Sequence, residues 1–188
     1  MKAADDIIAT FPRHSNSLYE FVQCDATLMK NVVTASSEVR NNTPTLNYLV
    51  LSPGVIDIQG RNETSEGIDA KMALNFYARW KFVDELLPLL QKARANNQEA
   101  RVMTVLAPGN GGKIDLDDLG LKKTYSFFTN LFQVPTYNDL LVEVRYHSQF
   151  LSEKLHSDHE LRKSRSTADI FQRYHSLTFI PVWWPLPS

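Results

Sequence analysis

The stretch from Leu46 to Leu90 reads as an apolar strand, a turn and a long amphipathic helix. Leu46-Asn47-Tyr48-Leu49-Val50-Leu51 is almost uninterruptedly apolar, the pattern of a parallel strand covered on both faces. It stops at Ser52-Pro53-Gly54. After a loop, Met72, Phe76, Trp80, Val83, Leu87 and Leu90 follow at steps of four and three, forming one helical stripe that faces a core. Arg101-Val102-Met103-Thr104-Val105-Leu106 is the next strand, closed by Ala107-Pro108-Gly109-Asn110-Gly111-Gly112. Strands alternating with helices of this length predict crossover units, and hence an α/β fold built on a parallel sheet.

The flanks extend the alternation. Met1 to Thr10 has a helical pattern that Phe11-Pro12 stops. Leu18-Tyr19-Glu20-Phe21-Val22-Gln23 reads as a short strand, and Asp25 or Thr27 is placed to cap the helix that carries Met29, Val32 and Val33. Asn41-Asn42-Thr43-Pro44 breaks that helix. From Tyr137 to about Arg165 the pattern is helical and polar, with Leu140, Val144, Leu151 and Leu155 as its apolar face. Leu177 to Val182 is a last strand candidate, and Trp183-Trp184 begins an apolar tail expected to pack on the open edge of the sheet. No repeat or linker divides the chain, which predicts a single domain over residues 1–188.

Composition narrows the function. Twenty Lys and Arg against 21 Asp and Glu, in no long run of one sign, lack the broad basic surface of nucleic-acid binders. A small-molecule substrate is the expected partner. The single cysteine, Cys24, has no internal disulfide partner, and no secretion signal is visible, so cytoplasm is the expected compartment. No run of about 18 apolar residues marks a membrane span. His156 and His159 share a helical face in His156-Ser157-Asp158-His159-Glu160, but as solvated residues; no metal site is expected. A Gly-x-Ser-x-Gly hydrolase elbow is absent.

Three short segments resemble the short-chain dehydrogenase/reductase superfamily, its fungal members in particular. Cys24-Asp25-Ala26-Thr27 stands where the family's third strand ends in an Asp that contacts the adenine of the cofactor. Leu51-Ser52-Pro53-Gly54 stands where the fourth strand lines the nucleotide, matching at the Gly. Asn75 lies 13 residues before Pro88 of Leu86-Leu87-Pro88, the place of the family's relay Asn before a Leu-Pro pair. The resemblance covers about residues 1–145 and implies a Rossmann-like, NAD(P)-dependent oxidoreductase acting on a carbonyl or alcohol, NADP slightly preferred. It assigns nucleotide contacts to Asp25, Ala26, Ser52 and Gly54, and the proton relay to Asn75.

Tyr137 is the best candidate for the family's acid/base. There, a Lys one helical turn beyond the Tyr lowers the phenol's pKa and a Ser holds the substrate oxygen. Here those positions are Leu141 and Ala107. The family's opening strand, glycine-rich turn and second strand also have no counterpart, and Gly109-Asn110-Gly111-Gly112 follows the wrong strand to replace the turn. The expected fold is therefore a partial doubly wound sheet lacking its first two strands, with open edges suited to a homo-oligomer. Cofactor binding without the glycine-rich turn is doubtful and turnover is expected to be weak or absent. The alternative is a catalytically inactive remnant acting as an interaction module, or an incomplete gene product.

Overall fold

The computed structural model describes residues 2–11, 17–105, 110–157 and 184–185. In chain order these form α1 (Lys2–Ala9), α2 (Met29–Asn42), β1 (Tyr48–Leu51), α3 (Ala70–Met72), a π-helical turn (Ala73–Tyr77), α4 (Ala78–Ala95), β2 (Arg101–Thr104), α5 (Phe127–Ser157) and β3 (Trp184–Pro185). β1 and β2 are parallel, Tyr48 opposite Arg101 and Leu51 opposite Thr104. The helix from α3 to α4 is their crossover, as parallel pairing demands. β3 pairs antiparallel with β2, Val102 opposite Trp184, so the strand order is β1-β2-β3. The tail thus meets the sheet edge, as expected. The strand read over residues 177–182 and the helix end near Arg165 lie outside the described residues.

The predicted stripe is the core. Met72, Trp80, Val83 and Leu90 are buried, and Leu51 packs with Trp80 and Val83 while Leu46, Leu49 and Val102 cover Leu90. β1 departs from the two-face expectation. Leu49 and Leu51 meet α4, but Tyr48 and Val50 are 54% and 58% exposed. No described element covers that face, so the apolar run alternates in burial instead of being buried throughout. Pro88 sits inside α4, where it cannot donate to the carbonyl of Asp84. Arg40 of α2 reaches the adjacent turn, donating to Glu85 O at 2.8 Å and to the Glu85 carboxylate at 2.7 Å. Lys81 and Arg40 together hold that carboxyl below its ordinary value.

Two local expectations are corrected. Leu18–Gln23 is not a strand: its backbone joins no ladder among the described residues, and Leu18 is 91% exposed. Nor do Asp25 and Thr27 cap α2. Asp25 turns back on its own segment, accepting from Thr27 N at 3.0 Å and Thr27 Oγ1 at 2.7 Å. The α2 amides of Met29 and Lys30 instead donate to the two carboxylate oxygens of Glu66, at 2.6 and 3.1 Å, a charge placed where the helix dipole favours it.

Glu66 is held there by a tight excursion between β1 and α3. Gly67 has φ +77°, Glu63 and Asp69 form a bridge, and buried Asp69 caps α3 through Lys71 N and Met72 N. α5 begins ten residues earlier than the Tyr137 start read from the sequence. Ser126 opens it by accepting from Thr129 N at 2.9 Å, and Pro135 is carried inside the helix. Replacing Glu66 with Ala should cost about 1 kcal/mol, the usual loss for a helix cap. Urea unfolding checks it, and an unchanged midpoint would remove Glu66 from any structural role.

Candidate functional site

A cleft of about 330 Å³ opens at the C-terminal ends of β1 and β2, where open α/β sheets bind ligands. The loop after β1 contributes Ser52, Gly54, Val55, Ile56 and Asp57. Lys71, Asn75 and Arg79 come from successive turns of the crossover helix, and Val105 from the end of β2. α5 closes the far side with Phe127, Asn130, Leu131, Val134, Pro135 and Asn138.

Asn75 lies in the π-helical turn, a widened geometry frequent at functional sites. Both ends of its amide are spent on one residue: Oδ1 accepts from Val55 N at 2.9 Å and Nδ2 donates to Val55 O at 3.1 Å. The side chain thus clasps the post-β1 loop to the helix. Gly54 permits the closeness, since a Cβ there would meet Asn75 Oδ1 at 3.0 Å and Arg79 Nη2 at 3.4 Å. From the other side, buried Asn138 donates to Asn75 O and Val134 O, both at 3.0 Å, and accepts from Trp80 Nε1 at 3.1 Å.

Arg79, one turn beyond Asn75, ties the strand ends together. Nη1 donates to Thr104 Oγ1 at 2.8 Å and to Val105 O, and Nη2 donates to Pro53 O at 2.7 Å. Lys71 is buried as well, donating to Gln59 O and Gly60 O at 2.9 and 3.0 Å, with the Asp57 carboxylate at 3.6 Å and the Tyr125 ring beneath.

Of the residues singled out from the sequence, the structure brings Ser52, Gly54 and Asn75 together in this cleft. Asp25 and Ala26 do not line it; they stand in the turn before α2. Tyr137 does not line it either. Its ring packs against Phe76, Met72, Leu121 and Val134, and its hydroxyl donates to Gln133 Oε1 at 2.8 Å. Burial pushes the phenol up to about 12. Leu141 packs with Trp80 and Val83. Sequence reading missed Arg79, Asn130 and Asn138. Their signal is a helical one: Arg79 sits one turn from Asn75 beside an apolar stripe, and Asn138 follows Tyr137.

The wall of α5 is fixed by the loop before it. Asp118 is buried, which alone would push its carboxyl up. The amides of Lys122, Lys123 and Thr124 at 2.7–2.8 Å and the Thr124 hydroxyl at 2.9 Å win, and hold it at about 2. These bonds fold the chain so that Leu121, with φ +46°, enters the cluster around Met72 and Tyr137.

Two titrations follow. The folded pKa of Asp118 is depressed, so its contribution is complete above the ordinary carboxylate value near 4 and is lost as pH falls through about 2. Asp118→Asn should therefore be less stable than the parent at pH 7, with the gap closing toward pH 2. That of Tyr137 is raised, so its contribution is complete below the ordinary value of 10.0 and is lost as pH rises through about 12. Tyr137→Phe, which removes the Gln133 bond, should cost about 1 kcal/mol at neutral pH and lack this alkaline decline. Denaturant midpoints across pH read both.

No family model matches the chain. It is 38% identical over 108 residues to oxidoreductase AN1596 of Emericella nidulans, a match covering 57% of this chain and 31% of that protein. It is 34% identical over 125 residues to oxidoreductase andH of Emericella variicolor, covering 66% and 36% respectively. The chain thus spans about a third of the length of these relatives. In structure it is similar to an uncharacterized protein from Mycobacterium paratuberculosis, with a TM-score of 0.58 at 18% identity over 71% of this chain and 46% of that one, a likeness of fold. With parallel strands, a crossover helix and a cleft at the strand ends, the chain is a partial α/β unit of Rossmann-like fold, similar in sequence to part of these fungal oxidoreductases.

Proposed function

We propose that this chain forms part of the cofactor and substrate site of an NAD(P)-dependent oxidoreductase acting on a carbonyl or alcohol, with NADP the preferred cofactor form. The observation that carries the reading is the cleft at the C-terminal ends of β1 and β2, with Ser52, Gly54 and Asn75 meeting in it. Its donors suit an acceptor-rich ligand, since Asn130 Nδ2 and Arg79 Nε are buried there without partners among the described residues. The relatives' description as oxidoreductases supports the same reading.

A nicotinamide cofactor, when bound, supplies or accepts the hydride. What this chain's residues do is bind and orient. Gly54 leaves backbone open to a close approach, Ser52 adds a hydroxyl to the rim, and Asn75 holds the loop that carries both. Asp25 and Ala26 are proposed as the adenine contacts, on the resemblance alone. In the family pattern Tyr137 would move the proton. With its hydroxyl donated to Gln133 and its pKa near 12, it is a poor proton donor and acceptor at neutral pH in this conformation. Leu141 and Ala107 offer no substitute group. This chain therefore contributes binding more than proton transfer, and weak turnover follows.

Thermal unfolding with millimolar NAD(H) or NADP(H) tests this, because a ligand that binds the folded state alone raises the midpoint. The expected outcome is a rise, larger with NADP(H), accompanied by little carbonyl reduction. No rise with either cofactor overturns the assignment of the cleft. Brisk turnover that Tyr137→Phe abolishes would overturn the division between binding and proton transfer.

A further inference from the structure

Arg79 is 8% exposed, yet no carboxylate lies within ion-pair distance of it among the described residues. Arg40, Arg61, Arg101 and Arg145 each meet one. Its acceptors are neutral: the Thr104 hydroxyl and the carbonyls of Val105, Pro53 and, at 3.5 Å, Leu51. A guanidinium has five N–H groups. Among the described residues Nη1 spends both of its hydrogens, Nη2 spends one on Pro53, and Nε, buried, spends none. Two donors on adjacent nitrogens of one planar group are left over, the fork that matches a carboxylate or phosphate in two parallel hydrogen bonds.

A second orphan lines the same cleft. Asn130 is 5% exposed and its Nδ2 has no acceptor among the described residues. Buried donors are costly to leave unmade, and a buried charge without an anion more so. Here two such groups stand in the wall of one cleft, and the charge is kept although burial works against it. Held by four neutral oxygens, the guanidinium is fixed in place without being neutralised. Such an arrangement leaves an uncompensated positive charge in the wall of the cleft, where an anion would offset it.

We propose that Arg79 is an oxyanion receptor: a carboxylate or phosphate entering the cleft is held by Nε–H and Nη2–H, with Asn130 Nδ2 as a further donor. This rests on the cleft being the ligand site of the preceding reading, and gives that ligand an anionic group near the ends of β1 and β2. A substrate carboxylate and a phosphate of substrate or cofactor share this chemistry.

The test uses the ¹⁵N-labelled full chain and the Nε–Hε resonance of Arg79, titrated separately with benzoate and with inorganic phosphate. A saturable shift of that resonance is expected with one of them. Benzoate alone identifies a substrate carboxylate; phosphate alone identifies a phosphate group. Arg79→Lys, which keeps the charge and loses the fork, should weaken binding about ten- to a hundredfold. Because Arg79 also ties the strand ends, Asn130→Ala serves as the variant whose strands stay tied, and it should weaken binding several-fold. No saturable shift with either anion overturns the proposal, even if NADP(H) still raises the unfolding midpoint. An anion-dependent shift without any cofactor effect would support the receptor and sink the nicotinamide assignment instead.

Discussion

One guanidinium joins the ends of the two parallel strands. Arg79 reaches Pro53 beyond β1 and Thr104 and Val105 at the end of β2, where each chain leaves the sheet and its carbonyls lose their ladder partners. Asn75, a turn earlier, binds Val55 through both amide atoms. A single helix face thus satisfies the backbone of both strand exits. The cleft is the space left between those exits and α5. Its floor is set by the same contacts that close the fold, so the shape of the site and the stability of the strand ends are not independent properties.

The π-helical turn fits this arrangement. In an α-helix Asn75 and Arg79 would stack one above the other; widening the turn at Ala73–Tyr77 alters their relation while leaving Met72 and Trp80 in the core. Asn138 of α5 then donates to the Asn75 carbonyl and accepts from the Trp80 indole, so the same short segment is clasped from the loop side and from the helix side. Lys71 and Asp69, just before the turn, fix its entry through bonds to Gln59, Gly60 and Asn62. Loop, turn and helix wall are cross-linked by polar groups, and among the residues lining the cleft Arg79 Nε and Asn130 Nδ2 stand out as buried donors without a partner among the described residues.

How much of this was legible follows from the range of each interaction. The stripe from Met72 to Leu90 and the strands at Leu46 and Arg101 were readable because burial repeats with the period of the backbone. The exposure of Tyr48 and Val50 was not, since periodicity shows that a face is apolar and not whether anything covers it. Glu66 could not be read as the cap of α2, because it lies 37 residues from Met29 while capping signals are sought within a turn. The early start of α5 was hidden by Pro135, a residue that ends most helical patterns. Resemblance pointed to Ser52, Gly54 and Asn75, which line the cleft, and to Tyr137, whose hydroxyl is spent on Gln133.

That last contrast bears on chemistry. A family pattern specifies residue types at intervals, whereas proton transfer requires an atom to face the reacting group at a suitable pKa. Before α5 the chain forms a loop anchored on Asp118, whose four hydrogen bonds place Leu121 in the buried cluster that holds Tyr137. The ring becomes part of a hydrophobic cluster with Met72 and Val134, and the low-dielectric surroundings raise the pKa that a neighbouring Lys would have lowered. Leu141, one turn on, extends the same apolar face toward Trp80. Packing has taken the ground that acid/base chemistry would need, while on the polar side of the cleft Arg79 Nε and Asn130 Nδ2 have no hydrogen-bond partner among the described residues. In this chain the apolar wall around Tyr137 and the polar floor around Asn75 and Arg79 therefore have separate physical supports, so a change in one need not disturb the other.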